Sequence, residues 1–255
     1  MDIERNINIY RRIDVVNHYS NNNLFEPERQ ILNIIQDELH ETKVLDIGVG
    51  AGRTTPYFSK QTKLYVGIDY SSEMIEKCKE QYGNHANITF SVCDAREFVG
   101  MKDEYFDLVL FSYNGLDYMN IEDRAKSLQE IIRVLKKGGK FIFSTHNLKH
   151  IPLMYKLYSG INPKLFYKRL IKVIKLVYYN GLPKKYNMDY YYFKDSAHKF
   201  SLTTMYVSLS FQIDILNSLG FKFIRAFSLN KGTEINLNDI EYYNEPWVYF
   251  YCSKK

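Results

Sequence analysis

The sequence predicts a doubly wound α/β fold built on a mostly parallel sheet. Three observations carry that expectation. From position 43 the chain repeats strand, turn and helix, and alternation at this length implies parallel strands joined by right-handed crossovers. The strand segments are continuous apolar runs, as expected when helices cover both faces of a sheet. The first strand runs into a glycine-rich turn at the edge where such sheets bind ligands.

Before that pattern begins, Glu26, Pro27 and Glu28 read as a helix start, followed by Ile31, Leu32, Ile34, Ile35 and Leu39 at helical spacing. Residues 1–40 are therefore expected to form a helical cap. Five strands follow in residues 41–147: KVLDI (43–47), LYVGID (64–69), ITFSVCDA (88–95), FDLVLFSY (106–113) and GKFIFST (139–145). Helices are expected at 53–60, 72–82 and 122–136, the last ending on Lys136-Lys137-Gly138-Gly139. Segment 148–200 fits neither pattern and reads as a basic, helical insertion that could serve as a lid. Within 201–255, a helix over Thr203–Leu219 stops at Gly220, and two strand-like runs (221–229 and 247–253) form a closing antiparallel pair.

Bulk properties narrow the function. A chain of 255 residues with 45% hydrophobic and 25% charged residues is globular rather than disordered. The amino terminus lacks the apolar run and small-residue cleavage site of a secretory signal. No stretch reaches the roughly 18 uninterrupted apolar residues of a membrane span, since IKVIKLVYY (171–179) is broken by lysines. Cys78, Cys93 and Cys252 are too scattered for a zinc site or a disulfide framework. A reducing cytoplasm is the expected location, and no metal is expected.

Chemistry first shows in Asp46-Ile47-Gly48-Val49-Gly50-Ala51-Gly52-Arg53. Glycines at alternate positions between strand and helix let backbone approach a ligand without Cβ obstruction. A dinucleotide loop would read G-x-G-x-x-G, but here Arg53 stands where the third glycine belongs, and a Walker lysine is absent. Asp46, two residues before the first glycine, would repel a pyrophosphate and suits a ligand bearing an ammonium group. That combination favours S-adenosylmethionine (AdoMet) over NAD. Strand two ends on Asp69, whose carboxylate suits ribose hydroxyls; the alternative is that it caps the next helix.

VLDIGVGAGRTT (44–55), YVGIDYSSEMIEKCKE (65–80), VCDAREF (92–98), FDLVLFSYNGLDYM (106–119) and RVLKKGGKFIFS (133–144) together resemble the successive motifs of class I AdoMet-dependent methyltransferases. The resemblance covers about residues 40–147. It implies a seven-stranded sheet in the order 3-2-1-4-5-7-6. It also implies that Asp46, Gly48, Gly50, Gly52 and Arg53 surround the methionine end and that Asp69 holds the ribose. Tyr70, Met74, Asp94 and Ala95 would then flank adenine, with Phe111 and Ser112 beneath the sulfonium. Tyr19 in the cap would close over the donor or simply pack on the sheet.

Methyl transfer is an in-line displacement in which alignment does much of the work, and a hydroxyl acceptor gains from a base. His146, just beyond strand five, is the expected base; the alternative is a structural bond to neighbouring backbone. Tyr113, Asn114, Asn147 and, with less context, His198 would orient the acceptor. The expected acceptor is an oxygen or nitrogen of a small metabolite. YNGLDY (113–118), STHN (144–147) and the tail from Phe211 to Trp247 resemble enzymes acting on anionic or nucleotide-linked sugars of surface-polysaccharide assembly. An RNA methyltransferase and a non-catalytic AdoMet-binding protein are the alternatives. Net charge +5 suits RNA, but no separate RNA-binding module is present and Ser112-Tyr113-Asn114-Gly115 stands where an N-P-P-Y motif would be. Oligomeric state is left open.

The basicity is local. Segment 151–188 holds Lys156, Lys164, Lys168, Arg169, Lys172, Lys175, Lys184 and Lys185 with no acid, and so carries +8. Phe166, Leu170, Ile174 and Val177 share one helical face and Lys164, Lys168, Lys172 and Lys175 another, so a basic amphipathic helix is expected. Three readings stay open for the lysines: a solvated face, an attractor for an anionic acceptor, or peripheral contact of 164–177 with an anionic membrane.

Overall fold

The computed structural model describes residues 23–157 and 162–255. Its order is α1 (Glu26–Ile35), β1 (Lys43–Ile47), α2 (Thr55–Phe58), β2 (Leu64–Asp69), α3 (Ser72–Tyr82), β3 (Ile88–Val92), β4 (Phe106–Phe111), α4 (Ile121–Val134) and β5 (Leu135–His146). There follow α5 (Ile151–Met154), α6 (Pro163–Asn180), β6 (Tyr190–Phe193), β7 (Thr204–Val207), α7 (Leu209–Ser218), β8 (Phe221–Ser228), β9 (Glu234–Ile235) and β10 (Trp247–Lys254).

The main sheet runs β3-β2-β1-β4-β5-β10-β8-β9. β1 pairs in parallel with β2 and β4, β2 with β3, and β4 with β5; β10 is antiparallel to both β5 and β8. This is the expected order 3-2-1-4-5-7-6, with one difference: the two-residue strand β9 adds an eighth member beyond β8.

Strand residues alternate between two cores, which is why the runs read as continuously apolar. Leu45, Val109, Phe141, Phe143 and Phe250 face one side with Leu128 and Ile131 of α4 and Leu216 of α7. Val44, Leu108, Leu110, Ile142 and Tyr249 face the other, against Ile31 and Ile35 of α1 and Ile75 and Cys78 of α3. A third cluster, with Leu148, Ile151, Met154, Leu176, Phe193 and Tyr206, holds the insertion together.

Several boundaries differ from expectation, among them the ends of β3 at Val92 and β4 at Phe111. The helix after the glycine turn is only Thr55–Phe58. Helix α4 ends at Val134, and Lys136–Gly139 already lie in β5, where Phe106 pairs with Leu135 and Leu108 with Lys140. The surplus residues form a bulge with Gly138 at φ +74°. Thr204–Val207 is strand, not the start of a helix, because Tyr190–Phe193 of the insertion supplies an antiparallel partner.

Candidate active site

Gly48 and Gly50 line a cleft of about 160 Å³ at the carboxyl edge of β1, β2 and β4. Gly50 has φ +56°, nothing within 4 Å of where a Cβ would stand, and its N–H donates to Asp69 Oδ2 at 3.0 Å. Its backbone is therefore open to a ligand. Gly52 sits on the α3 side of the turn. It does not line the cleft, and a Cβ there would stand 2.7 Å from the Tyr82 ring and 3.3 Å from Cys78 Sγ, so it is what lets the turn pack on α3.

Asp69, at the end of β2, lines the same cleft. Its Oδ1 accepts from Ser71 N–H at 2.9 Å and its Oδ2 from Gly50, so helix capping and contact with the glycine turn occur together. A carboxylate offers about four lone-pair sites, which leaves capacity for ribose hydroxyls. Burial pushes the Asp69 carboxyl up to about 6 against these backbone bonds, and burial does the same to Asp46. Asp46 lines the cleft but is sealed into a cluster, accepting from Tyr65 OH at 2.5 Å and from Thr54 Oγ1.

Tyr70, Met74, Asp94, Ala95, Phe111, Ser112 and Tyr113 all line the cleft, as do Cys93, Arg96, Tyr118 and Met119, which sequence reading did not single out. Asp94 is gripped by Arg96, whose NH2 lies 2.5 Å from Oδ2. Burial raises the Asp94 carboxyl, but the bonds and charge of Arg96 outweigh it and hold it below the usual range.

Arg53 lines the cleft, but its guanidinium is committed elsewhere. It makes a bidentate pair with Glu28, at 2.6 and 2.7 Å, and donates to Ser112 Oγ at 3.1 Å. Glu28 is 1% exposed and also accepts from Ser112 and from Tyr249 OH at 3.1 Å. The sequence marked Glu28 only as a helix-start acid, a role it keeps through its bond from Phe25 N–H at 2.7 Å. Nothing local announces its second role.

Beyond β4 the chain turns through Tyr113 and Asn114 at φ +56° and +62°, a conformation that non-glycine residues hold only when their surroundings impose it. Here the Asn114 N–H donates to Ser144 Oγ at 2.8 Å, and the Tyr113 ring stacks on Phe25 at 5.2 Å. Burial pushes the Tyr113 phenol up, partly offset by Arg53. It remains a neutral hydroxyl near pH 7 rather than a base.

His146 lies at the end of β5, 7% exposed, outside the cleft lining. Its Nδ1 stands 2.8 Å from Asp117 Oδ2, which also accepts from the His146 N–H at 2.6 Å. Asp117 is itself fully buried and paired with the fully buried Arg124 at 2.6 Å; Thr145 Oγ1 donates to it at 2.7 Å. The His146 ring meets Trp247 at 5.7 Å, Tyr206 at 4.9 Å and Tyr118 edge-on at 6.4 Å. Trp247 in turn meets Tyr113 at 6.2 Å. An aromatic wall thus connects the cleft to the histidine.

The remaining candidates fall elsewhere. Asn114 is 3% exposed and does not line the cleft. Asn147 is spent structurally, donating to Tyr243 O at 2.8 Å and capping the turn at Lys149. His198 belongs to the turn Ala197–Phe200. Tyr19 lies outside the described residues.

Residues 44–139 match the family model described as a methyltransferase domain. The ubiquinone/menaquinone biosynthesis C-methyltransferase UbiE of Geobacter sp. (strain M21) is 30% identical over 196 residues, covering 74% of each chain. Among solved structures, an S-adenosylmethionine dependent methyltransferase from Mesorhizobium loti aligns with TM-score 0.61 at 16% identity, over 89% of this chain and 98% of that one. The 1,6-didemethyltoxoflavin-N1-methyltransferase of Burkholderia thailandensis, crystallised with its acceptor and S-adenosylhomocysteine, aligns with TM-score 0.62 at 14% identity, over 99% and 88%. At those identities the structures speak for the fold; the family rests on the domain match and the UbiE relative. With an open glycine backbone, a ribose-suited carboxylate and this kinship, the chain belongs to the class I AdoMet-dependent methyltransferases.

Proposed function

We propose that the protein methylates an oxygen or nitrogen of a small, flat acceptor held along the wall formed by Tyr113, Trp247 and His146. The observation that carries this reading is the Asp117–His146 pair. A carboxylate on Nδ1 fixes the tautomer with Nε2 unprotonated, the arrangement a general base requires. Trp247 adds support: its Nε1–H is buried and has no partner among the described residues, so an acceptor oxygen would satisfy it.

AdoMet, when bound, supplies the electrophilic methyl group. Gly48 and Gly50 leave room for its methionine end, Asp69 would accept from the ribose, and Met74 and Ala95 offer apolar surface to adenine. Tyr113 and Trp247 orient the acceptor, and His146 takes its proton. An anionic sugar acceptor has weaker support, since Arg53 and Arg96, the two cations lining the cleft, are already paired with Glu28 and Asp94. A second reading, methylation of a carbon, is favoured by the relatives that are ubiquinone/menaquinone biosynthesis C-methyltransferases and by the same aromatic wall. It also uses His146 as base.

Turnover with AdoMet across panels of phenols, aromatic amines and sugar phosphates, with products analysed by mass and NMR, tests the proposal. Methylated phenols or amines are expected. Methylation confined to sugar phosphates would overturn the flat-acceptor reading, and a carbon-bound methyl would select the second. Trp247→Phe keeps an aromatic ring but removes the donor and is expected to raise KM about tenfold with little change in kcat. Steady-state kinetics on the identified acceptor checks this.

Asp69 provides a pH signature. Ribose hydroxyls need the ionised carboxylate, so affinity for S-adenosylhomocysteine is expected to fall as pH is lowered through about 6. In the free protein the sign is opposite: a carboxyl raised by folding contributes stability at low pH that is lost as pH rises through about 6. Asp69→Asn should flatten the binding profile, leave in the stability profile the share of Asp46, whose carboxyl burial raises alike, and weaken binding by about 1.5–3 kcal/mol. Calorimetry and thermal unfolding between acid and neutral pH measure the two.

A further inference from the structure

Helix α6 packs through only part of the apolar face read from its sequence, since Val177 is partly buried while Phe166 and Ile174 are exposed. Its buried side is Leu176, with Val173 and Val177 beside it, set against Ile151, Phe193 and Phe200. Tyr167, Ile171, Ile174 and Tyr178 are turned to solvent, with exposures of 64%, 37%, 57% and 81%. Their spacing of four, three and four residues places them on one stripe. The helix is therefore apolar on two opposite sides, and the outward one is uncovered among the described residues.

Lys164, Lys168 and Lys175 border that stripe, all exposed and without an ion pair to any described carboxylate. Lys184 and Lys185 follow just beyond the helix, beside the exposed Leu182. Over residues 162–188 there are seven cations and no Asp or Glu. Four aligned apolar side chains with tyrosines among them, flanked by lysines on flexible stems, form the pattern of a helix lying in a lipid–water interface. A second copy docked on the same stripe would oppose lysine to lysine. RNA would use the lysines but leave the isoleucines in water.

We infer that α6 is a docking surface for a membrane carrying anionic phospholipid headgroups. Ile171 and Ile174 enter the upper acyl region, Tyr167 and Tyr178 sit at headgroup level, and Lys164, Lys168 and Lys175 pair with lipid phosphates. The contact is peripheral, since no described helix is long and apolar enough to cross a bilayer.

The test is flotation of the full-length protein with phosphatidylcholine vesicles, with and without phosphatidylglycerol, at low and physiological salt. Retention is expected only on the anionic vesicles and is expected to weaken with salt. Lys164→Glu/Lys168→Glu/Lys175→Glu should reduce vesicle affinity by at least about a hundredfold, at about fivefold for each lysine charge lost and more for its reversal. Ile171→Asp/Ile174→Asp should abolish retention even at low salt. Both variants alter solvent-facing positions, so unchanged S-adenosylhomocysteine affinity and Tm establish that they are folded. Four outcomes would overturn the inference. They are failure of the wild-type protein to float with anionic vesicles; retention indifferent to both variants; a dimer in sedimentation velocity that Ile171→Asp/Ile174→Asp dissolves; and retention on RNA but not on vesicles.

Discussion

His146→Ala is expected to lower kcat by about 10²–10⁴-fold while leaving S-adenosylhomocysteine affinity unchanged. The histidine lies outside the cleft lining, so its loss would remove the proposed proton acceptance without touching the donor. The deficit should shrink at high pH, where the acceptor ionises by itself. Pre-steady-state rates against pH, with donor affinity from calorimetry, separate the two effects. Nearly full turnover in the variant would leave alignment by Tyr113 and Trp247 as the whole of the chemistry.

Arg124→Met is expected to destabilise the protein by about 3–5 kcal/mol, because it leaves Asp117 buried without its counter-charge. For a chain of this size that corresponds to a Tm lower by roughly 6–20 °C. The guanidinium also donates to Gln212 Oε1 of α7 at 2.6 Å, so its loss loosens the helix that backs the sheet. Asp117→Asn/Arg124→Met removes both charges and should regain much of that stability, since an amide still accepts from the His146 N–H. Turnover should nevertheless stay low, because an amide no longer holds Nδ1–H with a full charge. Calorimetric unfolding and kcat on the same pair of variants distinguish a positioning role from a purely structural one. Equal recovery of stability and turnover would make the cluster structural only.

Much of this molecule was legible along the chain. The apolar runs marked β1 to β5 because strands covered on both faces need apolar residues at every position. The glycine turn, Asp69, Tyr70, Met74, Asp94 and Ala95 were legible because they lie within a few residues of a strand end, where the local sequence sets the geometry. What escaped was set by contacts across the chain. Glu28 meets Ser112 at a separation of 84 residues and Tyr249 at 221, and Arg124 meets Gln212 at 88. No periodicity records such pairs, so the ion pair that Arg53 makes with Glu28 at the edge of the cleft is not visible along the chain.

The strand at Thr204–Val207 failed for the same reason: its hydrogen bonds come from Tyr190–Phe193, and an apolar run without a known partner reads equally well as helix. The sequence alone determined that α6 is a basic, amphipathic helix. Which apolar side it buries was decided only by the third core, where Leu176 fits among Ile151, Phe193 and Phe200 and leaves Ile171 and Ile174 outside. A helix with apolar residues on two sides has no local preference between them, because burying either removes similar area from water. The shape of the neighbour makes the choice.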